Sequence, residues 1–244
     1  MSSTQIKTLQ EELKNKGPEE VLTRVSEVFG DRVVFASALG AEDQVITDVI
    51  GRGGLKIPVI TLDTGRLFNE SYQLLEDIEE KYGIRVKLYF PDKESVESMT
   101  AEHGVNLFRE SVENRKLCCR VRKIEPLRRS LSGYKAWICG LRREQSVTRS
   151  EIKTIEWDET NKLVKINPLA DWTEVQVWEY IKNHEAPYNK LHDQGFPSIG
   201  CACCTRAVKR TEDVRAGRWW WELPEQKECG LHVVDGKLVR KAKV

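Results

Sequence analysis

Two groups of cysteines, the adjacent pair Cys118 and Cys119 and the cluster Gly-Cys201-Ala-Cys203-Cys204-Thr, constrain this 244-residue chain more than any other feature. Adjacent cysteines do not readily bridge each other. Two thiols there and two at a C-x-x-C spacing, Cys201 and Cys204, can instead form a four-sulfur cage for one metal centre. Such a cage ties two distant parts of the chain into one site. Four thiolates suit zinc as well as an iron-sulfur cluster, and the spacing alone leaves both open. Cys203 complicates the second half, because Cys201-x-Cys203 is an imaginable pair, although C-x-x-C closes more readily around one metal.

Seven cysteines, an odd number, fit metal ligation and redox chemistry better than a disulfide framework in a chain without an export signal. The opening Met-Ser-Ser-Thr-Gln-Ile-Lys has no apolar run behind it, and no stretch approaches the length of a membrane span. Neither a signal peptide nor a membrane association is expected, and the expected setting is cytoplasmic. The 39 Lys plus Arg against 38 Asp plus Glu leave no net field to attract nucleic acid, so an anion site must come from local clustering.

Periodicity predicts an α/β fold. Two helices fill the first thirty residues, the second opening at Pro18 with Val21, Leu22, Val25, Val28 and Phe29 on one face and stopping at Gly30. Strand runs at 32–37, 56–62, 84–90 and 136–140 alternate with helices at 42–50, 69–82 and 93–102, the pattern of a mostly parallel sheet flanked by helices. Runs at 151–157 and 162–167, separated by Asp158-Glu-Thr-Asn161, predict a hairpin or edge addition. Asp171-Trp-Thr-Glu174 has capping-box form and predicts a helix presenting Val175, Trp178 and Ile181 together. The loop 186–200 then delivers the second cysteine group.

Ligands of such sheets bind where loops leave the carboxyl ends of strands. Three loops stand out. Ser37-Ala-Leu-Gly40-Ala-Glu42-Asp43 suits backbone N–H contacts to a phosphate, and it lacks the Gly-Lys-Ser/Thr ending of a Walker loop. Leu62-Asp63-Thr64-Gly65-Arg66 offers a carboxylate to sugar hydroxyls or an exocyclic amine. Gly140-Leu-Arg142-Arg143-Glu144-Gln145-Ser146 offers guanidinium groups to an anion. Their joint placement points to a nucleotide.

Basic residues surround the first cysteine pair (Arg115, Lys116, Arg120, Arg122, Lys123) and follow the second (Arg206, Lys209, Arg210, Arg215, Arg218). They suit a negatively charged cluster or an anionic substrate held against it. Trp219-Trp220-Trp221 reads as a packing anchor rather than a base-stacking platform. Beyond it, Glu228-Cys229-Gly230-Leu231-His232 carries a thiol apart from the cage, a candidate nucleophile. The expected division is a domain over 1–218 and a mobile C-terminal tail over 219–244.

Together these motifs, in order from about Arg32 to His232, resemble the assimilatory adenylylsulfate (APS) reductases, the iron-sulfur branch of the APS and phosphoadenylylsulfate (PAPS) reductase family. The resemblance implies an adenine nucleotide α-hydrolase-like fold with a modified pyrophosphate loop. It implies one 4Fe-4S cluster per subunit on Cys118, Cys119, Cys201 and Cys204. By the same resemblance, Lys123, Arg215 and Arg218 face the phosphosulfate and Cys229 is the nucleophile. The further substrate contacts it suggests are Ser37, Gly40, Leu62, Asp63, Thr64, Gly65, Gly140, Arg142, Arg143, Gln145 and His232. Thioredoxin or glutaredoxin is the implied reductant, and a homo-oligomer is left open. One departure is Cys203, where the family pattern has proline. Reduction of PAPS, alone or alongside APS, is the alternative, and a more remote one is an iron-sulfur RNA-thiolating enzyme.

Overall fold

The computed structural model describes residues 3–145, 149–209 and 211–222. Helices α1 (Ser3–Glu12) and α2 (Pro18–Phe29) come first, and Gly30 ends α2 at φ +57°, a conformation that glycine enters freely. The sheet follows as β1 (Val33–Ser37), β2 (Val59–Leu62), β3 (Lys87–Tyr89), β4 (Ala136–Ile138), β5 (Ile155–Asp158) and β6 (Leu163–Ile166), in the order β3-β2-β1-β4-β6-β5. Every neighbouring pair is parallel except β5 with β6. The hairpin is therefore an edge addition in which β6 joins β4 and β5 forms the margin. Asp158 closes its turn by accepting from the Thr160 and Asn161 amides, both at 3.0 Å.

The central strands read Val-Val-Phe-Ala-Ser, Val-Ile-Thr-Leu and Ala-Trp-Ile because both sheet faces are covered. Successive residues of β1 serve opposite layers: Val33 and Phe35 pack with α2, α3 (Ala41–Arg52) and α4 (Asn69–Tyr82), whereas Val34 packs with Leu127, Leu131 and Trp137. Fully buried Asp48 on α3 accepts from Tyr82 Oη at 2.7 Å and Tyr180 Oη at 2.8 Å. It thereby ties α3 to α4 and to α8 (Glu174–Asn183).

Two expectations shift. Helix α8 is capped by Thr173 and Gln176 rather than by Asp171 and Glu174: Thr173 Oγ1 accepts from the Gln176 amide and Gln176 Oε1 from the Thr173 amide. Asp171 pairs instead with Arg143. The buried face is accordingly Val177, Tyr180 and Ile181, while Val175 is exposed. The strand expected over 84–90 contracts to three residues.

After α5 (Lys93–His103), the chain around the first cysteine pair forms α6 (Val112–Cys119), a π-helical turn over Arg120–Ile124 and α7 (Glu125–Leu131). A π turn inserts a residue into the ladder and re-aims what it carries. Here it carries Arg122 and Lys123, directly after the cysteines. A third packed layer combines Met99, Leu107, Phe108, Cys118, Val121, Cys201, Cys204 and Trp219. Trp221 meets Phe108 with ring centroids 5.9 Å apart, and Glu222 forms a two-bond pair with buried Arg115. The first residues of the expected tail thus pack on this layer.

Candidate active site

The carboxyl ends of β1, β2 and β4 open on a cavity of about 330 Å3, in the size range of small-ligand sites. Among the expected residues, Ser37, Gly40, Leu62, Thr64, Lys123, Gly140, Arg142, Gln145, Cys201, Arg215 and Arg218 line it. Asp63, Gly65 and Arg143 do not. Asp63 is buried beneath the rim, accepting from the Gly65 amide at 2.7 Å and Tyr72 Oη at 2.8 Å, and so shapes the turn. Arg143 donates to the Ile152 carbonyl and pairs with Asp171. Cys229 and His232 lie outside the described residues.

The first loop folds around a side chain of its own. Asp43 Oδ2 accepts from the Ala38 amide at 2.8 Å and the Gly40 amide at 3.2 Å, and Ser37 Oγ takes the Leu39 amide. Amides expected to meet a phosphate are therefore already engaged. Gly140 is required at β4's exit, because a Cβ there would overlap Asp43 Oδ1. Burial, then Glu42, pushes the Asp43 carboxyl up to about 7, while the amides of Gly40, Ala38 and Gly140 pull it down.

A carboxyl raised from 3.8 in the unfolded chain binds its proton more tightly when folded. Its stabilising contribution is complete below about pH 4 and lost as pH climbs through about 7, on the order of 4 kcal/mol over that window. Thermal unfolding of the ligand-free protein should therefore show stability falling between about pH 4 and 7, with a shallower slope in Asp43→Asn. Parallel slopes would contradict this.

Arg142, expected to present a guanidinium to an anion, is held by Glu42: Nε and Nη2 reach Glu42 Oε1 at 2.9 and 2.8 Å, and Nη1 reaches the Trp172 carbonyl. Much of its charge is thus neutralised within the cavity wall.

On the other side, Cys118, Cys119, Cys201, Cys203 and Cys204 surround a small void together with Arg66, Arg115, Arg122, Lys123, Arg218 and Trp219. The 62–66 turn assembles it. Thr64 Oγ1 lies 3.2 Å from Cys201 Sγ, the Thr64 carbonyl accepts from Arg122 Nη1 at 2.7 Å, and the Arg66 carbonyl accepts from the Ala202 amide at 2.8 Å. One turn thereby holds both cysteine segments. Burial raises the Cys118 thiol. Cys203 Sγ sits 3.7 Å from Cys204 Sγ, and that contact, helped by Arg66, lowers the Cys203 thiol.

Four thiols, each 7–8% exposed, lie among cations, and this donor set fits a thiolate-held, negatively charged group. Among the described residues no three His, Cys, Asp or Glu side chains already stand close enough together to hold a metal ion. Lys123, Cys201, Arg218 and Trp219 line both the void and the large cavity, so the two spaces share one wall. Gly200 makes room for this wall, since a Cβ there would collide with the Arg218 guanidinium, which stacks on Trp219 at 4.8 Å.

The cavity also holds residues that sequence reading did not single out as ligand contacts: Glu42, Asp43, Trp137, Arg149, Trp178 and His192. Glu42 and Asp43 were visible as part of the first loop. The others had no motif.

Residues 32–207 match the family model described as the phosphoadenosine phosphosulfate reductase domain. The chain is 55% identical over 213 residues to the adenosine 5'-phosphosulfate reductase of Allochromatium vinosum, covering 87% of this chain and 83% of the relative. It is 51% identical to that of Burkholderia cepacia, covering 83% and 81%. The crystal structure of a phosphoadenylyl-sulfate (PAPS) reductase from Candida auris, in a phosphate complex, superposes with a TM-score of 0.71 at 30% identity, covering 85% of this chain and 98% of that one. Candida glabrata FMN adenylyltransferase shares the fold at 16% identity, with a TM-score of 0.56, covering 91% and 75%. The mostly parallel sheet is thus of the adenine nucleotide α-hydrolase-like type.

Proposed function

Since this chain belongs to the phosphoadenosine phosphosulfate reductase family, we propose that it reduces adenylylsulfate to sulfite and AMP in sulfate assimilation. The observation that carries this reading is the shared wall, with Lys123 and Arg218 between the thiol cage and a nucleotide-sized cavity. Cations there would hold the phosphosulfate dianion against the cage and offset its repulsion from an incoming thiolate. The match in family and in cysteine pattern supports a 4Fe-4S cluster on Cys118, Cys119, Cys201 and Cys204. When bound, that group supplies fixed negative charge and a rigid staple between the two cysteine segments.

Cys229 is the nucleophile of this reading. Its thiolate attacks the sulfate sulfur, the bond from sulfur to the anhydride oxygen breaks, and AMP leaves with the electron pair. A Cys229 S-sulfonate remains. A thioredoxin or glutaredoxin dithiol then attacks Cys229 Sγ, sulfite departs, and the second thiol resolves the mixed disulfide. The dithiol supplies the two electrons that reduce the sulfur. His232 would accompany Cys229 at the anion. A cytoplasmic setting goes with this reductant, and among the described residues no helix is long and apolar enough to cross a membrane.

Sulfite release with thioredoxin should be at least about tenfold faster, in kcat/KM, from adenylylsulfate than from its 3'-phosphorylated counterpart, a difference of about 1.4 kcal/mol. Equal or reversed rates would assign the chain to the phosphorylated nucleotide or to both.

A further inference from the structure

One polar side chain in the large cavity has no role in the reading above. The ring of His192 lines the cavity with both Nδ1 and Nε2 shielded from the surface; the Phe196 carbonyl, the backbone group that acts on the ring, stands outside good hydrogen-bond geometry, and it can engage only one of the two nitrogen atoms. Shielded polar atoms normally find partners, and one that lacks them inside a ligand cavity is placed to find them on the ligand.

The ring is fixed from behind. It sits in the 3-10 turn Lys190–Gln194, whose preceding residue Asn189 accepts from the Leu191 amide at 3.1 Å and donates to Ser71 Oγ at 3.3 Å. Trp178 meets it edge-on, with centroids 5.1 Å apart and planes at 81°. Burial lowers its pKa against the opposing pull of Glu42, the Phe196 carbonyl and Asp193, so the imidazole is neutral near pH 7. A neutral imidazole offers one donor and one acceptor. That pair suits a ribose hydroxyl or a purine edge and not the dianionic end of the nucleotide, whose charge the cations Lys123, Arg215 and Arg218 on the cavity lining suit better.

We propose that His192 is a nucleoside-binding residue, hydrogen-bonding the uncharged half of the nucleotide through the ring nitrogen that the Phe196 carbonyl does not engage. This rests on reading the cavity as a nucleotide site.

The test is calorimetric binding of AMP to the full-length protein and to two variants. His192→Phe, which keeps the ring shape and removes the nitrogen atoms, should bind AMP about five- to tenfold more weakly, the effect of one buried hydrogen bond. His192→Asn, which keeps a donor and an acceptor, should recover part of the loss. In the sulfite assay KM should rise while kcat holds. 2'-Deoxy-AMP, 3'-deoxy-AMP and inosine 5'-monophosphate then locate the partner: one of them should bind the wild type more weakly by a similar factor and lose nothing further in His192→Phe. If the Phe variant does not fold, His192→Leu carries the same comparison. AMP affinity within about twofold of wild type in the folded variant, or losses that simply add for all three analogues, would overturn the role of His192 and leave the proposed reaction standing. Absence of AMP binding to the wild type would overturn the nucleotide reading itself.

Discussion

Replacing Cys229 by serine is expected to abolish sulfite formation, lowering kcat by at least about a thousandfold, while AMP binding stays within about twofold. A serine hydroxyl is far less ionised than a thiol and a poorer nucleophile toward sulfur, so the first bond never forms. Wild-type protein incubated with adenylylsulfate and no reductant should gain the mass of one SO3 group on the peptide containing Cys229. The serine variant should gain none. Geometry permits this role: the described chain reaches Glu222 beside the cage, and the seven residues from there to Cys229 can span up to about 25 Å. Retained turnover in the variant, or sulfonation at Cys203, would move the nucleophile elsewhere.

Lys123→Ala should be the most damaging change among the described residues that leaves the cage thiols intact, costing about a hundred- to a thousandfold in kcat/KM for adenylylsulfate. Lys123 lines both the void and the cavity, so in the proposed reaction its charge would act on the sulfate and on the cage together. AMP, which lacks the sulfate, should lose much less affinity, and Lys123→Arg should restore part of the rate. A loss shared equally by AMP and adenylylsulfate would place Lys123 at the nucleotide's α-phosphate rather than at the sulfate.

The sheet was legible because its strands are continuous apolar runs between turn residues. Helix α4 begins and ends where its periodicity placed it, at Asn69 and Tyr82. The cysteine segments were legible as one site because four thiols have few other uses. Side-chain pairings across long separations were not. Nothing in the spelling of Arg142 announces Glu42, a hundred residues earlier, as its partner, and a guanidinium read as an anion clamp is largely occupied. The first loop was recognised as small and helix-leading, but its amides serve Asp43, which only the close approach of Gly140 makes possible. The π turn over Arg120–Ile124 is equally invisible, since it departs from helical spacing by one residue. His192 escaped notice because a lone histidine in a loop carries no pattern, and its significance lies in a shielded ring nitrogen left facing the cavity.

The central claim is that the cysteine cage holds an iron-sulfur cluster forming one wall of the nucleotide site. Iron, acid-labile sulfide and zinc, determined per chain on protein purified anaerobically, test it most directly. A cluster on the four thiols should give about four iron and four sulfide per chain with negligible zinc, and loss of both in Cys201→Ser. About one zinc per chain without iron or sulfide would contradict it.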